Sequence, residues 1–275
     1  MSAPPLDPRE LLPPPPTASP KPPPFPRPSS ASRSAEDEEG RARTEIAAVC
    51  GKMYAKGLIT SADGNVSVRL PDGDLLITPT GAGKDALDPA RILRLAPDGT
   101  PRGAGRPSTE LALHLCAYRE RADVRAVVHA HPPTAVAFTI AGLSLALCTI
   151  PEVVVTLGTI PTASYGTPGT DELPESIREL VRCSDAILLE RHGSVTLGGN
   201  LAQALTRLEV VEHTARITWM ARTLGQVKEL APEQVSKLLE VRRELGIGGR
   251  NTICTNCGAR PVCPHPDGVP YPLAR

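Results

Sequence analysis

The chain has 275 residues, and its 30 Lys and Arg residues balance its 30 Asp and Glu residues. A formal net charge of zero gives no electrostatic reason to expect nucleic acid or a membrane as a partner. No apolar stretch approaches the roughly 18 residues of a membrane span, and the N-terminus lacks the apolar region of a secretory signal, so we expect a cytoplasmic protein.

Composition divides the chain into three parts. Thirteen of the 31 prolines lie between Pro4 and Pro28, and a Ser- and acid-rich segment follows. Such a segment buries too little apolar area to fold, so we expect residues 1–40 to be a disordered, proline-rich tail. We expect this tail to keep the protein in solution, and an SH3-type ligand is the alternative. We expect one globular domain over residues 41–247 and a cysteine-rich tail over residues 248–275.

The first half of the domain begins with a helix, "RTEIAAVCGKMYAKGLI", which Gly57 ends. "NVSVRL" and "DGDLLITP" predict a hairpin that turns at Asp72-Gly73. "STELALHLCAYRER" predicts a helix that Ser108 or Thr109 can cap, and "VRAVVHA" predicts a short strand.

The second half continues with a helix, "TAVAFTIAG", a strand, "EVVVTLG", and another helix, "DELPESIRELVRC". "DAILLERHGSVTLG" predicts two strands that turn at His192-Gly193. A long helix capped by Asn200 and a last helix, "APEQVSKLLEVRREL", complete the domain. Helices and strands that mix without strict alternation indicate a layered α/β or α+β domain of about 200 residues.

Three histidines stand at predicted strand ends. His129 and His131 are two residues apart, so both imidazoles point to one side if the strand continues that far. An H-x-H pair alone is also compatible with ordinary packing. His192 at the end of "AILLERHG" adds a third imidazole, and three imidazoles on zinc with one open position are typical of a catalytic site. We interpret the mid-helix His114 and His213 as structural.

Glu110, at the start of the "STELALH" helix, is the candidate carboxylate for proton chemistry. Its spacing alone favours a simpler role, that of an acid stabilised by the helix dipole. Three short turns could bind an anion: Gly64-Asn65, Thr80-Gly81 and Ser108-Thr109. Each is common in ordinary loops. "TGAGK" does not match a nucleotide-binding P-loop, which argues against a nucleotide ligand.

Taken in order, "GNVSVR", "ITPTG", "PSTE", "HAH" and "RHG" resemble the class II aldolase/adducin family, and most nearly its L-fuculose-phosphate aldolase group. The resemblance runs from about Arg43 to about Gly246. It implies a three-layer α/β/α domain around a mostly antiparallel central sheet. It also implies a homotetramer with sites at the subunit interfaces.

The resemblance implies a zinc ion held by His129, His131 and His192, with Glu110 as the acid/base and as a further zinc ligand at rest. It implies that the three turns named above hold the phosphate of a small sugar phosphate. The reaction would be cleavage of a (deoxy)ketose 1-phosphate, such as L-fuculose 1-phosphate, to dihydroxyacetone phosphate and an aldehyde. Zinc would stabilise the enediolate and Glu110 would transfer its proton.

Two alternatives remain open within the same family. A sugar-phosphate epimerase or dehydratase would use the same zinc histidines. A non-catalytic, adducin-like binding domain is not expected to keep these ligands.

The chain departs from the fuculose-phosphate pattern in the segment "LALCTIPEVVV", which lacks the tyrosine that acts on the leaving hydroxyl in that group. Glu152 could replace this tyrosine, or it could simply begin a strand. Tyr165, in "ASYGTPGT", is expected to line the site.

The cysteines suggest one further metal. Cys254, Cys257, Cys263 and His265 form a C-x2-C-x5-C-x-H array that could hold a second, structural zinc. The alternative is a disordered tail with reactive thiols. The cysteines inside apolar segments are expected to be buried, reduced thiols: Cys50, Cys116, Cys148 and Cys183.

Overall fold

The computed structural model describes residues 35–247 and residue 250. One sheet runs through it, with strands in the order β3-β2-β1-β4-β7-β6-β5. The strands are β1 (Asn65–Arg69), β2 (Leu75–Ile77), β3 (Leu93–Leu95), β4 (Ala126–Ala130), β5 (Thr162–Ala163), β6 (Ala186–Leu189) and β7 (Gly193–Gly198). The helices are α1 (Ala35–Ala55), α2 (Leu111–Glu120), α3 (Pro133–Ile140), α4 (Pro151–Thr156), α5 (Glu172–Cys183), α6 (Leu201–Leu224) and α7 (Pro232–Glu244).

The sheet is mostly antiparallel, and the expected α/β class is confirmed. Among the strands of the described residues, only β5 and β6 pair in parallel, whereas β4 pairs antiparallel with both β1 and β7. Helices cover both faces. Val128 of β4 belongs to a core shared with α1 and α6, and its neighbour Val127 belongs to a core shared with α2 and α5. The central strands are therefore buried on both sides, as a three-layer arrangement requires.

Helix α1 begins at Ala35, so residues 35–40 are helical and the expected tail boundary at residue 40 was placed too late. The reason is visible in Glu39. Its carboxylate accepts a hydrogen bond from Arg43 one turn later and pairs with Arg94 of β3 at 2.6 Å. These contacts tie the acidic first turns of α1 to the sheet.

The segment "EVVVTLG" is a helix, α4, and the predicted strand was wrong. Pro151 occupies the first helical turn, where its missing N–H costs nothing. Val154 is fully buried in a small core with Val235 of α7, so packing overrides the preference of valine for strands. Two short strands, β3 and β5, were not predicted.

The expected capping of α2 also needs correction. The cap position is Glu110, whose side chain makes no capping bond, and Ser108 Oγ only accepts a hydrogen bond from the Glu110 N–H. By contrast, Asn200 caps α6 as expected, because its side chain accepts from the Gln203 N–H.

The expectation of buried, reduced thiols is largely confirmed for the described cysteines. Cys50, Cys116 and Cys148 are buried reduced thiols, and Cys183 is a half-buried reduced thiol. None of the helices in residues 35–247 is long and apolar enough to cross a bilayer.

Candidate metal centre

Three histidines meet where β4 ends beside the β6–β7 turn. His129 lies in β4 and His131 directly follows this strand, which ends at Ala130. His192 lies in the turn before β7, and pairing of β7 with β4 brings that turn alongside. The ring centroids lie 4.9 Å (His129–His131), 4.8 Å (His129–His192) and 5.0 Å (His131–His192) apart, nearly an equilateral triangle.

The carboxylate of Glu110 completes the cluster from the opposite element, the start of α2. Its Oε2 lies 3.2 Å from His129 Nε2 and its Oε1 lies 3.0 Å from His192 Nε2. One ligand atom from each of the four residues can be chosen so that all lie within 4.8 Å of one another. The sequence-predicted set of Glu110, His129, His131 and His192 is thus brought together.

The backbone of β7 orients the most buried of these rings. His129 is fully buried, and its Nδ1 donates a hydrogen bond of 3.0 Å to the Ser194 carbonyl. This contact places the ring proton on Nδ1 and turns the lone pair of Nε2 toward Glu110 and His131. Such outer contacts commonly orient metal-bound histidines.

Gly193, which follows His192, leaves room for the cluster. A Cβ atom built there would lie 2.3 Å from the Ala130 carbonyl oxygen and 2.8 Å from His131 Cδ2. No larger residue fits without moving one of these groups, which explains physically why a glycine follows the histidine in "RHG".

The electrostatics favour an ionised carboxylate at Glu110 beside a neutral imidazole at His131. Burial by itself would raise the pKa of Glu110, but the contacts of its carboxylate with His129 and His192 and the hydrogen bond from the Asn65 amide together lower that pKa. Burial, reinforced by the neighbouring histidines, lowers the pKa of His131 to about 4. Imidazole nitrogens and a carboxylate oxygen are donors that suit a divalent metal ion, so the residues fit such an ion.

The three predicted anion-binding turns are linked to the cluster to different extents. Gly64 has a φ of +67°, and a Cβ there would lie 2.9 Å from the His129 carbonyl oxygen, so this turn packs directly behind the cluster. The Thr80 N–H donates to the Arg106 carbonyl, which brings the Thr80-Gly81 loop beside the loop that leads to Ser108-Thr109.

The side chain of Asn65 contacts the cluster itself, whereas the sequence suggested only that its turn could bind an anion. Its Nδ2 donates a hydrogen bond of 2.7 Å to Glu110 Oε2. His114, interpreted from sequence as structural, is fully buried and contacts both Asn65 and Ser67, so it lies directly behind the carboxylate. Sequence reasoning missed this arrangement.

The remaining candidates lie on α4, on α6 and in the loop after β5. Glu152 is exposed in the first turn of α4, so it begins a helix and not a strand. Tyr165 is 53% exposed in the loop after β5, and His213 is exposed on α6. The tail array of Cys254, Cys257, Cys263 and His265 lies outside the described residues.

Comparison with known proteins identifies a family and two kinds of relative. The profile of the "Class II Aldolase and Adducin N-terminal domain" matches residues 44–219. The 3-oxo-tetronate 4-phosphate decarboxylase of Escherichia coli K12 is 33% identical over 203 residues, covering 70% of this chain and 96% of the relative. The L-fuculose phosphate aldolase of the same strain is 34% identical over 214 residues, covering 76% and 98%.

A solved structure agrees with these matches. The L-fuculose-1-phosphate aldolase from Thermus thermophilus is 31% identical and superposes with a TM-score of 0.61, covering 67% of this chain and 95% of the other.

Proposed function

The chain belongs to the class II aldolase and adducin family, and from this premise we propose that it is a metal-dependent aldolase acting on a (deoxy)ketose 1-phosphate such as L-fuculose 1-phosphate. The products would be dihydroxyacetone phosphate and an aldehyde. The observation that carries the proposal is the contact of one ionised carboxylate, Glu110, with two of three clustered imidazoles.

The ion would be held by His129, His131 and His192, with Glu110 as a further ligand at rest, and we propose zinc. When bound, a divalent ion supplies Lewis-acid stabilisation of the negative charge that develops on a substrate oxygen as a carbon–carbon bond breaks. Glu110 is the group placed to move a proton. Its lowered pKa keeps it ionised, so it would first accept a proton from water and then deliver that proton to the enediolate carbon.

The substrate phosphate is proposed to bind at the turns Gly64-Asn65, Thr80-Gly81 and Ser108-Thr109. Thr80, Gly81 and Thr109 are exposed and therefore accessible to a ligand. The hydrogen bond from the Thr80 N–H to the Arg106 carbonyl supports the placement of the Thr80-Gly81 loop beside the segment that leads to Thr109. Phosphate binding there would orient the reacting carbon atoms toward Glu110.

A second candidate is decarboxylation of a 3-oxo sugar acid phosphate. It is favoured by the decarboxylase relative and by the segment "LALCTIPEVVV", which has no tyrosine. Aldol cleavage needs a base for the C4 hydroxyl proton, whereas a 3-oxo acid loses CO2 without such a base. Both reactions leave an enediolate on the phosphorylated fragment, and both need one proton delivered to carbon, so Glu110 would serve either.

One set of assays separates the candidates. Purified protein is incubated with L-fuculose 1-phosphate, a 5-deoxy-pentulose 1-phosphate and 3-oxo-tetronate 4-phosphate, and dihydroxyacetone phosphate, aldehyde and CO2 are measured. Aldehyde together with dihydroxyacetone phosphate supports the aldolase, and CO2 supports the decarboxylase. Isomerised or dehydrated substrate without carbon–carbon cleavage would reject both and indicate the epimerase or dehydratase alternative.

Two further features are proposals. We propose a homotetramer, which sedimentation analysis would test. We also propose that Cys254, Cys257, Cys263 and His265 hold a second, structural zinc. This second ion should survive His129→Ala and be lost in Cys254→Ser/Cys257→Ser. A metal content that does not change in the cysteine variant would reject it.

A further inference from the structure

A stripe of polar side chains runs between β1 and α2, in a layer that is otherwise apolar. We call it the polar ladder, and its members are Asn65 and Ser67 on β1 and Glu110, His114 and Tyr118 at the start and along α2. Four helical residues advance about 6.0 Å and two strand residues about 6.6 Å, so every fourth residue of the helix meets every second residue of the strand.

Every step of the polar ladder is a short contact between buried groups. From the inner end, Tyr118 Oη lies 2.8 Å from Ser67 Oγ, and Ser67 Oγ lies 2.6 Å from His114 Nδ1. His114 Nε2 contacts Asn65 Oδ1, and Asn65 Nδ2 lies 2.7 Å from Glu110 Oε2. The four members of the polar ladder other than Glu110 are each at most 7% exposed.

The direction of each hydrogen bond follows from the groups themselves. The ionised carboxylate of Glu110 only accepts, so the amide of Asn65 must present its NH2 group to it and its oxygen to His114. His114 must then carry its proton on Nε2. Its bare Nδ1 takes the single hydroxyl proton of Ser67, and Tyr118 must donate to Ser67. All four bonds thus point toward Glu110.

The protonation state of His114 agrees with this direction. Burial lowers the pKa of His114 to about 3, so the ring is neutral at neutral pH and can both donate and accept. A positively charged ring could not accept the hydroxyl proton of Ser67. It would donate to Ser67 Oγ instead, so Ser67 would have to donate to Tyr118 and the direction of these two hydrogen bonds would be reversed.

We infer that His114 is a positioning residue that acts through Asn65 on Glu110, and that the polar ladder fixes the amide of Asn65 so that it holds Oε2 of the reacting carboxylate. The inference rests on the proposed function only in taking Glu110 as the proton-transfer group. It gives Asn65 a second role beside the proposed phosphate turn, because its side chain is engaged by Glu110 and His114.

Kinetics of two matched variants test the inference. A glutamine amide can place a donor near the position of Nε2, so His114→Gln should keep most of the wild-type kcat. His114→Leu removes the donor and should lower kcat by about 10- to 100-fold with KM unchanged. Asn65→Ala should likewise lower kcat more than it raises KM.

A merely structural role for His114 predicts a different result. Both His114 variants would lose thermal stability, and kcat per folded molecule would stay at the wild-type value in each. Wild-type kcat in folded His114→Leu, or a rise in KM without loss of kcat in Asn65→Ala, would overturn the inference.

A readout independent of activity uses long-range proton–nitrogen NMR spectra of histidine labelled with nitrogen-15. His114 is expected to be neutral, with its proton on Nε2, from pH 5 to pH 8. A proton on Nδ1 or a charged ring would overturn the inference. If the wild-type protein cleaves no substrate, the proposed function fails, and this spectrum still decides whether the polar ladder has the stated direction.

Discussion

The Nε2 atoms of His129 and His131 lie 3.0 Å apart and face each other. The proton of His129 is on Nδ1, which donates to the Ser194 carbonyl, so its Nε2 presents a lone pair. Two nitrogens that share one zinc ion, each about 2.0–2.1 Å from it, are separated by a comparable distance, roughly 3.3 Å. Together with the carboxylate of Glu110, this spacing is the basis of the proposed metal site.

Replacing one ligand should abolish metal binding. His192→Ala removes one of three imidazoles, so we expect the metal content to fall by one ion per chain. We expect lyase activity to fall by more than the roughly 100-fold loss that is typical when a residue behind a metal ligand is replaced. Elemental analysis and the product assay measure this. His213→Ala, at an exposed histidine of α6, is the matched control and should behave as the wild type.

Replacing the carboxylate should separate chemistry from metal binding. Glu110→Gln keeps the size of the side chain but cannot exchange a proton, so we expect kcat to fall by about 10²- to 10⁴-fold while the three histidines retain metal. Glu175→Gln, at an exposed acid of α5, controls for the loss of one charge. Near-normal kcat in metal-loaded Glu110→Gln would show that another group transfers the proton.

Gly193→Ala should damage the site through packing alone. The new methyl group would collide with the Ala130 carbonyl and the His131 ring, so we expect a loss of about 1–3 kcal/mol in the free energy of unfolding and weaker metal binding. Denaturant unfolding and metal titration measure these. Gly103→Ala, where a Cβ meets nothing within 4 Å, is the control. Equal behaviour of the two variants would contradict the packing argument.

The metal-free protein should lose stability in mild acid. Burial lowers the pKa of His114 to about 3 and of His131 to about 4, from 6.5. Between pH 6.5 and about 4 the unfolded chain therefore binds more protons, so the free energy of unfolding falls as the pH falls. Urea unfolding in chelator at pH 7, 6 and 5 measures this slope. His114→Gln should make it shallower, and an unchanged slope would count against a buried neutral His114.

The sequence was sufficient for the four residues of the cluster because each stands at an element end within a recognisable motif. It was insufficient for the polar ladder. In "NVSVR", polar residues alternate with valines, a pattern that is typical of a strand with one side facing solvent. The matching residues Glu110, His114 and Tyr118 on α2 have the spacing of any helix face. Only the packing of α2 on β1 shows that the two stripes are one buried network.

The same limit explains the error at α4. The run of Val153, Val154 and Val155 favours a strand by local preference, and the packing of α4 against α7 that reverses this choice involves residues about 80 positions away. Local sequence carries no information about such a partner.

The central claim is that His129, His131, His192 and Glu110 bind a catalytic divalent metal. Its most direct test is elemental analysis of the purified protein before and after treatment with a chelator, with activity and thermal unfolding followed in parallel. We predict one divalent ion per chain, besides the ion proposed for the tail cysteines, that is lost with chelator and absent in His129→Ala. Its loss should abolish activity and lower the unfolding temperature. Metal-free protein whose activity and stability do not change in chelator would contradict the claim.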